Sequence, residues 1–416
     1  MKKTNSKVIN LGCRLNFFES EIIENILKQK DLTNKIVINT CAVTNQAVRK
    51  SINEVKKASR RFPNHEIFVT GCASQINKDL FVNLKNVNTI VDNKKKTNPA
   101  SYSIESNEKN NEFNFPYLQE FSSTRSRAML QIQKGCDHRC TFCIIPYGRG
   151  DSKSLPFEEI NSRVSKIIEK GFSEIVFTGV DLTSYGHDLP GKPKLGKILK
   201  RLLNFQPKLN RLRLSSIDPA EIDEDLMELL SNDDRILPHI HLSLQSGDNL
   251  ILKRMKRRHN RSQVIDLCSE LKNKRSEFTF GADVIVGFPT ETNGMFLNTL
   301  NLIKDCDFSN VHVFPFSPKD GTPAARMPQV NEKIKRERVK ALRKLSDKIL
   351  FKKLNKEIGS STKILFESFK KSYTDAYFKV KLNAPKIGFL SPKSGSLIDV
   401  NLVSSDGDFL IADLVK

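Results

Sequence analysis

The chain has 416 residues, with 68 Lys and Arg against 47 Asp and Glu for a formal charge of +21. That length outgrows a single hydrophobic core, so two or three domains are expected; the basic excess, dense at Lys253, Arg254, Lys256, Arg257, Arg258 and Arg261 and again over 332–357, points to a phosphate-rich partner. No apolar run reaches signal-peptide length or the roughly 18 residues of a membrane span, which argues against secreted and membrane proteins, implies a cytoplasmic location, and makes the eight cysteines metal ligands or thiols rather than disulfides.

Three short apolar runs open the chain, 8–13, 36–41 and 67–72, each ending in a small residue and then Cys13, Cys41 or Cys72. Helical patterns at 19–28 and 47–60 separate them. Cys41 follows Cys13 by 28 residues and Cys72 follows Cys41 by 31, the length of one strand-helix-strand crossover. Parallel strands with right-handed crossovers are predicted, and their carboxyl ends bring the three cysteines to one sheet edge. From 92 to 124 the sequence turns rich in Lys, Asn, Ser and Glu without periodicity, which marks a domain boundary. Beyond it six β-type runs alternate with helical ones, at 129–133, 174–178, 211–215, 239–244, 278–287 and 311–316, the pattern of a (β/α)6 partial barrel with its chemistry at the strands' carboxyl ends. A long basic helix over 332–357 carries an apolar stripe of Ile334, Val339, Leu342, Leu345, Ile349 and Leu350. Four short strands follow, at 363–366, 376–382, 397–403 and 409–414, predicting a small C-terminal β-barrel domain. The fold class is therefore α/β: an N-terminal parallel-sheet domain over 1–105, a partial barrel over 122–352 and a β domain over 354–416.

The loop after the first barrel strand holds Cys136, Cys140 and Cys143 as CxxxCxxC. Three thiolates so spaced can bind three irons of a four-iron cluster and leave the fourth open to the amino and carboxylate groups of S-adenosylmethionine. A structural zinc bound by these cysteines and His138 is the alternative, although zinc sites more often use paired CxxC spacings. Cys13, Cys41 and Cys72 form a second possible three-thiolate set; one cysteine ending a strand is commonly just a small apolar residue, but three in register are not. Cys268 and Cys306 lie in helical patterns without ligand-type neighbours and are read as packing.

Residues 133–150, QKGCDHRCTFCIIPYGRG, resemble the core motif of the radical S-adenosylmethionine methylthiotransferases, and 11–16 and 39–44 resemble that family's N-terminal motifs. Further similar segments at 177–182, 215–219, 241–247 and 283–292 keep the family's order along the chain. The resemblance implies two 4Fe-4S clusters, a catalytic one on Cys136, Cys140 and Cys143 and an auxiliary one on Cys13, Cys41 and Cys72. It also implies S-adenosylmethionine as cofactor, with contacts at Phe142, Gly179, Ser215 and Gln245, and an RNA-binding TRAM domain at the C-terminus. The reaction implied converts a carbon-hydrogen bond to carbon-SCH3. Residues 39–44 and 215–219 look most like the branch acting on threonylcarbamoyladenosine in tRNA. The isopentenyladenosine and ribosomal-aspartate branches, and a non-catalytic RNA-binding protein with structural metal, stand as alternatives. The partners implied are tRNA and an electron donor of flavodoxin or ferredoxin type, with no membrane; no motif identifies the sulfur donor. Thr290, where the family usually has glycine, and Lys319, where it commonly has arginine, are departures.

Overall fold

A computed structural model describes residues 5–103, 115–116, 125–383 and 391–415. Most of the stretch from 92 to 124, including the expected boundaries at 105 and 122, lies outside the described residues. The first four strands, β1 (Lys7–Asn10), β2 (Lys35–Thr40), β3 (Glu66–Gly71) and β4 (Val87–Ile90), form one parallel sheet in sequential order. Every residue of β2 is buried because both faces are covered. Val37 and Phe68 meet Phe18, Ile22, Ile23 and Ile26 of the helix Arg14–Gln29 on one side. Ile36, Ile38, Ile67 and Val69 meet Val55 and Ala58 of the helix Asn45–Arg61 on the other. The alternation of side chains along each strand assigns these sets to opposite faces. β4 was not expected; its sequence VNTI is short, half polar and only partly buried.

The central domain has six parallel strands at the six expected places: β5 (Ala128–Gln131), β6 (Ile175–Thr178), β7 (Leu212–Leu214), β8 (His239–Gln245), β9 (Thr279–Val286) and β10 (Asn310–Pro315). β5 to β7 form one ladder, and a short stretch Ser216–Ile217 joins the β8-β9-β10 ladder. Ile240, Leu242 and Leu244 of β8 and Phe280, Ala282, Val284 and Val286 of β9 point outward into the core beneath the helices. His241, Ser243 and Gln245, with Asp283 and Ile285, alternate with them on the half-exposed inner face. That face lines the lumen.

Five strands close the C-terminal barrel: β11 (Ser361–Ser368), β12 (Lys371–Thr374), β13 (Lys379–Leu382), β14 (Leu397–Ser405) and β15 (Leu410–Leu414). β12 had been missed because Tyr373 is the only apolar residue in its sequence, KSYT. The helix Glu332–Glu357 runs unbroken through the expected boundary near 353, with Leu342 and Ile349 in the central core and Leu354 in the barrel core. It therefore belongs to both domains. The β12-β13 loop seals the lower end of the partial barrel: the Tyr377 ring stacks on His239 at 4.8 Å, Thr279 donates to the Ala376 carbonyl at 2.6 Å, and Arg211 pairs with Asp375. Arg14, next to Cys13, donates to the Tyr377 hydroxyl at 2.8 Å and so ties all three domains together. Among the described residues no helix is long and apolar enough to cross a membrane.

Candidate active site

The N-terminal cysteines sit just past β1, β2 and β3, with Cys13 capping a helix and Cys72 starting one. Two glycines allow the approach. Gly12 has φ +125°, and a Cβ there would lie 2.9 Å from Cys41 Cβ and 3.1 Å from its sulfur. Gly71 has φ +99°, and a Cβ there would meet the Thr40 backbone at 2.4–2.5 Å. Both positions favour glycine on conformation and on space. Burial pushes the Cys41 thiol up to about 11, and the charges of Cys13 and Cys72 push the same way. Three thiol groups gathered at one sheet edge are the donor set that a bound metal or cluster would use.

The second set lies on the loop after β5. Thr141 fixes this loop by donating its N–H to Met255 O at 3.1 Å and its hydroxyl to Arg254 O at 2.8 Å, and Cys136 N–H donates to Gly150 O at 3.1 Å. Burial raises the Cys143 thiol to about 11, with Cys140 adding to the effect and Cys72 of the other set contributing as well. Burial, and then the Asp181 carboxylate, raise Cys136 further. Arg257 donates to the Cys140 sulfur at 3.7 Å, to Ser243 O at 2.7 Å and to Asp218 at 2.8 Å. A Cβ at Gly148, five residues after Cys143, would lie 3.4 Å from Cys72 Cβ, so the two cysteine-bearing segments meet at the junction between the domains.

Arg149 crosses that junction. Six residues after Cys143, it makes a bidentate pair with Glu19 at 3.0 and 3.1 Å and donates to Asn16 Oδ1 at 2.6 Å. Asn16 in turn donates to Leu11 O and Thr40 O, both at 2.9 Å, the backbone just before Cys13 and Cys41. Lys96 adds a second cation to Glu19 at 2.5 Å. Burial would raise the Glu19 carboxyl, but Arg149 and Lys96 hold it down to about 2. On the other side Lys319 donates to Asn45 Oδ1 at 2.9 Å, while Asn45 donates to Ser317 and Pro318.

His138 pairs with Asp181 at 2.7 Å and faces Glu221 at 3.6 Å, and these hydrogen bonds raise it to about 10. Phe142 is half-buried and meets Phe288 edge-on at 6.5 Å. Gly179 leaves room for Gln133, whose Oε1 would lie 2.8 Å from a Cβ there. The Ser215 hydroxyl is buried without a partner among the described residues. Gln245 ends β8 with φ +67° at a register break, the kind of local strain that collects at functional sites. Cys268 and Cys306 are buried residues of the central core, as their apolar surroundings in sequence suggest. Arg149 and Asp218 lie inside recognisable motifs that give no sign of their role, and nothing local marks Glu19 or Lys96, because a polar residue's partner is invisible before the fold is known.

Residues 130–303 match the Radical SAM superfamily, and residues 5–92 match an uncharacterized protein family, UPF0004. The threonylcarbamoyladenosine tRNA methylthiotransferase MtaB of Rickettsia prowazekii is 45% identical over 91% of this chain and 91% of its own. The chain belongs to the radical S-adenosylmethionine methylthiotransferase family. The protein of the same description from Bacillus subtilis is 35% identical over 89% of this chain and 88% of its own. The tRNA-2-methylthio-N(6)-dimethylallyladenosine synthase of Neorickettsia sennetsu is 31% identical over 88% and 84%. Among solved structures, the radical S-adenosylmethionine methyltransferase TsrM of Kitasatospora setae, with cobalamin and a 4Fe-4S cluster bound, aligns with a TM-score of 0.54 at 10% identity. That alignment covers 78% of this chain and 74% of TsrM, a likeness of fold alone. Methylthiotransferases carry two 4Fe-4S clusters and use S-adenosylmethionine.

Proposed function

We propose that this protein transfers a methylthio group to carbon 2 of N6-threonylcarbamoyladenosine beside the anticodon of tRNA. The observation that carries this reading is the convergence of two three-cysteine sets in a chain 45% identical to a relative of that description. Relatives described as acting on dimethylallyladenosine stand at 30–31%.

Cys136, Cys140 and Cys143 would hold one 4Fe-4S cluster and Cys13, Cys41 and Cys72 the other. Together with S-adenosylmethionine, these groups supply one-electron chemistry and a methylated sulfur. The chain's own residues position and insulate. Arg257 places a fixed positive charge beside Cys140 and ties it to β8 through Ser243 O. Asp181, clamped by Ser184 at 2.5 Å and by His138, walls the Cys136 side. Phe142, the unpartnered Ser215 hydroxyl and Gln245 are the proposed cofactor contacts, and Gly179 acts indirectly by admitting Gln133. Arg149 and Lys319 lock the N-terminal domain over the lumen. The C-terminal barrel and its basic helix are the proposed grip on tRNA. A small electron carrier of flavodoxin or ferredoxin type, in a reducing cytoplasm, is the proposed source of electrons.

The direct test incubates anaerobically reconstituted protein with S-adenosylmethionine, a reductant and tRNA bearing threonylcarbamoyladenosine, followed by nucleoside mass spectrometry. The 2-methylthio product is expected. Conversion of isopentenyladenosine in its place would refute the substrate assignment.

A further inference from the structure

The lumen beneath the two cysteine sets holds a polar array with no part in the account above. His241 Nε2 lies 3.0 Å from Asp283 Oδ1, and His312 Nδ1 lies 3.1 Å from the same oxygen. The rings of the two histidines are 4.8 Å apart. They come from three adjacent strands, β8, β9 and β10, with Asp283 directly opposite His312 in the ladder. Gly281 makes the arrangement possible, since a Cβ there would lie 2.5 Å from His241 Nδ1.

The depth of this array is fixed by the strands. Ser243, whose carbonyl holds the arginine beside Cys140, is two residues further along β8 on the same face, a rise of about 7 Å. Two residues the other way, His239 is fully buried, bonded to Thr279 and stacked on Tyr377. Burial holds its imidazole well below the usual range, and therefore neutral. His239 belongs to the floor, and the His241-Asp283-His312 layer lies one step along the strands on the same inner face, toward the cysteines.

Polarity is the decisive feature. Two imidazoles sharing one carboxylate oxygen stabilise each other's partner: burial would raise Asp283, but hydrogen bonds from His241 and His312 hold it well below the usual carboxylate range. Since Nδ1 of His312 is turned to Asp283, its Nε2 points away, and the His312 side chain is 54% exposed. On the lumen-facing strand, that leaves Nε2 turned from Asp283 and open to a polar group of a substrate. A hydrocarbon substituent such as isopentenyl would desolvate this array without replacing its contacts with water. A threonylcarbamoyl substituent ends in a carboxylate and carries a hydroxyl and a urea.

Resting on the substrate reading above, we infer that His312, oriented by Asp283 and backed by His241, receives the carboxylate of the threonylcarbamoyl side chain and thereby selects that nucleoside. His312 and Asp283 act as the specificity-determining pair, with Asp283 as the positioning residue.

The test uses two anticodon stem-loop RNAs, one with native threonylcarbamoyladenosine and one with its carboxylate converted to a carboxamide. Affinity is measured by fluorescence anisotropy and kcat/KM by product formation, for wild type, His312→Phe, His312→Gln and Asp283→Asn. Wild type should prefer the acid by about 10- to 100-fold, the worth of one charge-assisted hydrogen bond. His312→Phe should lose that preference by falling on the acid alone, and His312→Gln, which keeps a donor without charge, should retain a fraction of it. Iron content and thermal unfolding equal to wild type establish that each variant is folded. A His312→Phe protein that keeps the wild-type acid-to-amide ratio would overturn the inference. So would equal loss on both RNAs restored by an added divalent cation, which would make the triad a metal site. A wild type that modifies neither RNA defeats the substrate reading itself, whereas one that modifies both equally defeats only this inference.

Discussion

Replacing Arg149 by Gln tests whether the two cysteine sets are held together by one buried ionic junction. Both Arg149 and Glu19 have side chains only 2% exposed, and Arg149 is the sole described residue after the CxxxCxxC loop that bonds both Glu19 and Asn16. Breaking a buried pair from one side costs about 3–5 kcal/mol. Lys96 remains at 2.5 Å from Glu19, so the lower end, about 3 kcal/mol, is expected. If the N-terminal and central domains unfold together as a unit of about 350 residues, that corresponds to a fall in Tm of about 4 °C. The assay is thermal unfolding of the anaerobic, cluster-loaded protein in a double-mutant cycle with Glu19→Gln. The double variant should be more stable than the sum of single losses by about 2 kcal/mol, because Arg149 and Glu19 no longer leave each other unpaired; Lys96 loses its carboxylate in both Glu19 variants, so that cost cancels in the cycle. Asn16 would also be released from Arg149, loosening the backbone ahead of Cys13 and Cys41. Methylthio transfer should therefore fall further than 5′-deoxyadenosine formation. A loss under about 1 kcal/mol, strict additivity in the cycle, or equal loss of both activities would refute the junction.

Iron analysis of reconstituted protein should give about eight irons, and about four after Cys136, Cys140 and Cys143 are all replaced by Ala or after Cys13, Cys41 and Cys72 are; stoichiometric zinc without iron would contradict the cluster assignment. Lys253 and Lys256 are exposed, while Arg257 and Arg258 are committed to Asp218 and Glu221, so Lys253→Gln with Lys256→Gln should lower the salt slope of tRNA binding by about 2; an unchanged slope would return both lysines to a solvated face. Glu174 is buried, and although burial opposes its charge, Arg213, Arg127 and Arg211 hold it down to about 2. A depressed carboxylate stabilises above its unfolded value and loses that contribution as pH falls from about 4.5 through about 2. Urea titrations over that range should show a steeper loss of stability in wild type than in Glu174→Gln.

Much of this was legible in the sequence because strand spacing and cysteine placement are local signals. All six barrel strands came from apolar runs bounded by turns, and the convergence of Cys13, Cys41 and Cys72 followed from crossover length alone. What was not legible depends on partners far apart in sequence. The basic run at 253–261 reads as a surface for phosphates, yet Arg257 is bound to Asp218, 39 residues away. Lys335 and Arg338, in the basic helix, are buried, with Arg338 clamped on Glu291 at 2.6 Å. Arg149 sits inside a recognisable motif, but Glu19 is 130 positions distant and nothing local couples the two. Thr290 illustrates a departure explained only by structure: it takes the glycine-favouring φ of +67°, and its hydroxyl accepts from Arg254 at 2.7 Å, which compensates part of the strain. His241 and His312 look unremarkable 71 positions apart and acquire meaning only when β9 sets Asp283 between them.

The most direct test of the central claim is mass spectrometry of total tRNA nucleosides from cells with and without the gene. The account predicts that 2-methylthio-N6-threonylcarbamoyladenosine disappears from the deletion strain and its unmethylthiolated precursor accumulates, with both reversed by the intact gene but not by one encoding Ala at Cys136, Cys140 and Cys143. Persistence of that nucleoside in the deletion strain, alongside loss of methylthiolated isopentenyladenosine or of a methylthiolated ribosomal aspartate, would contradict it.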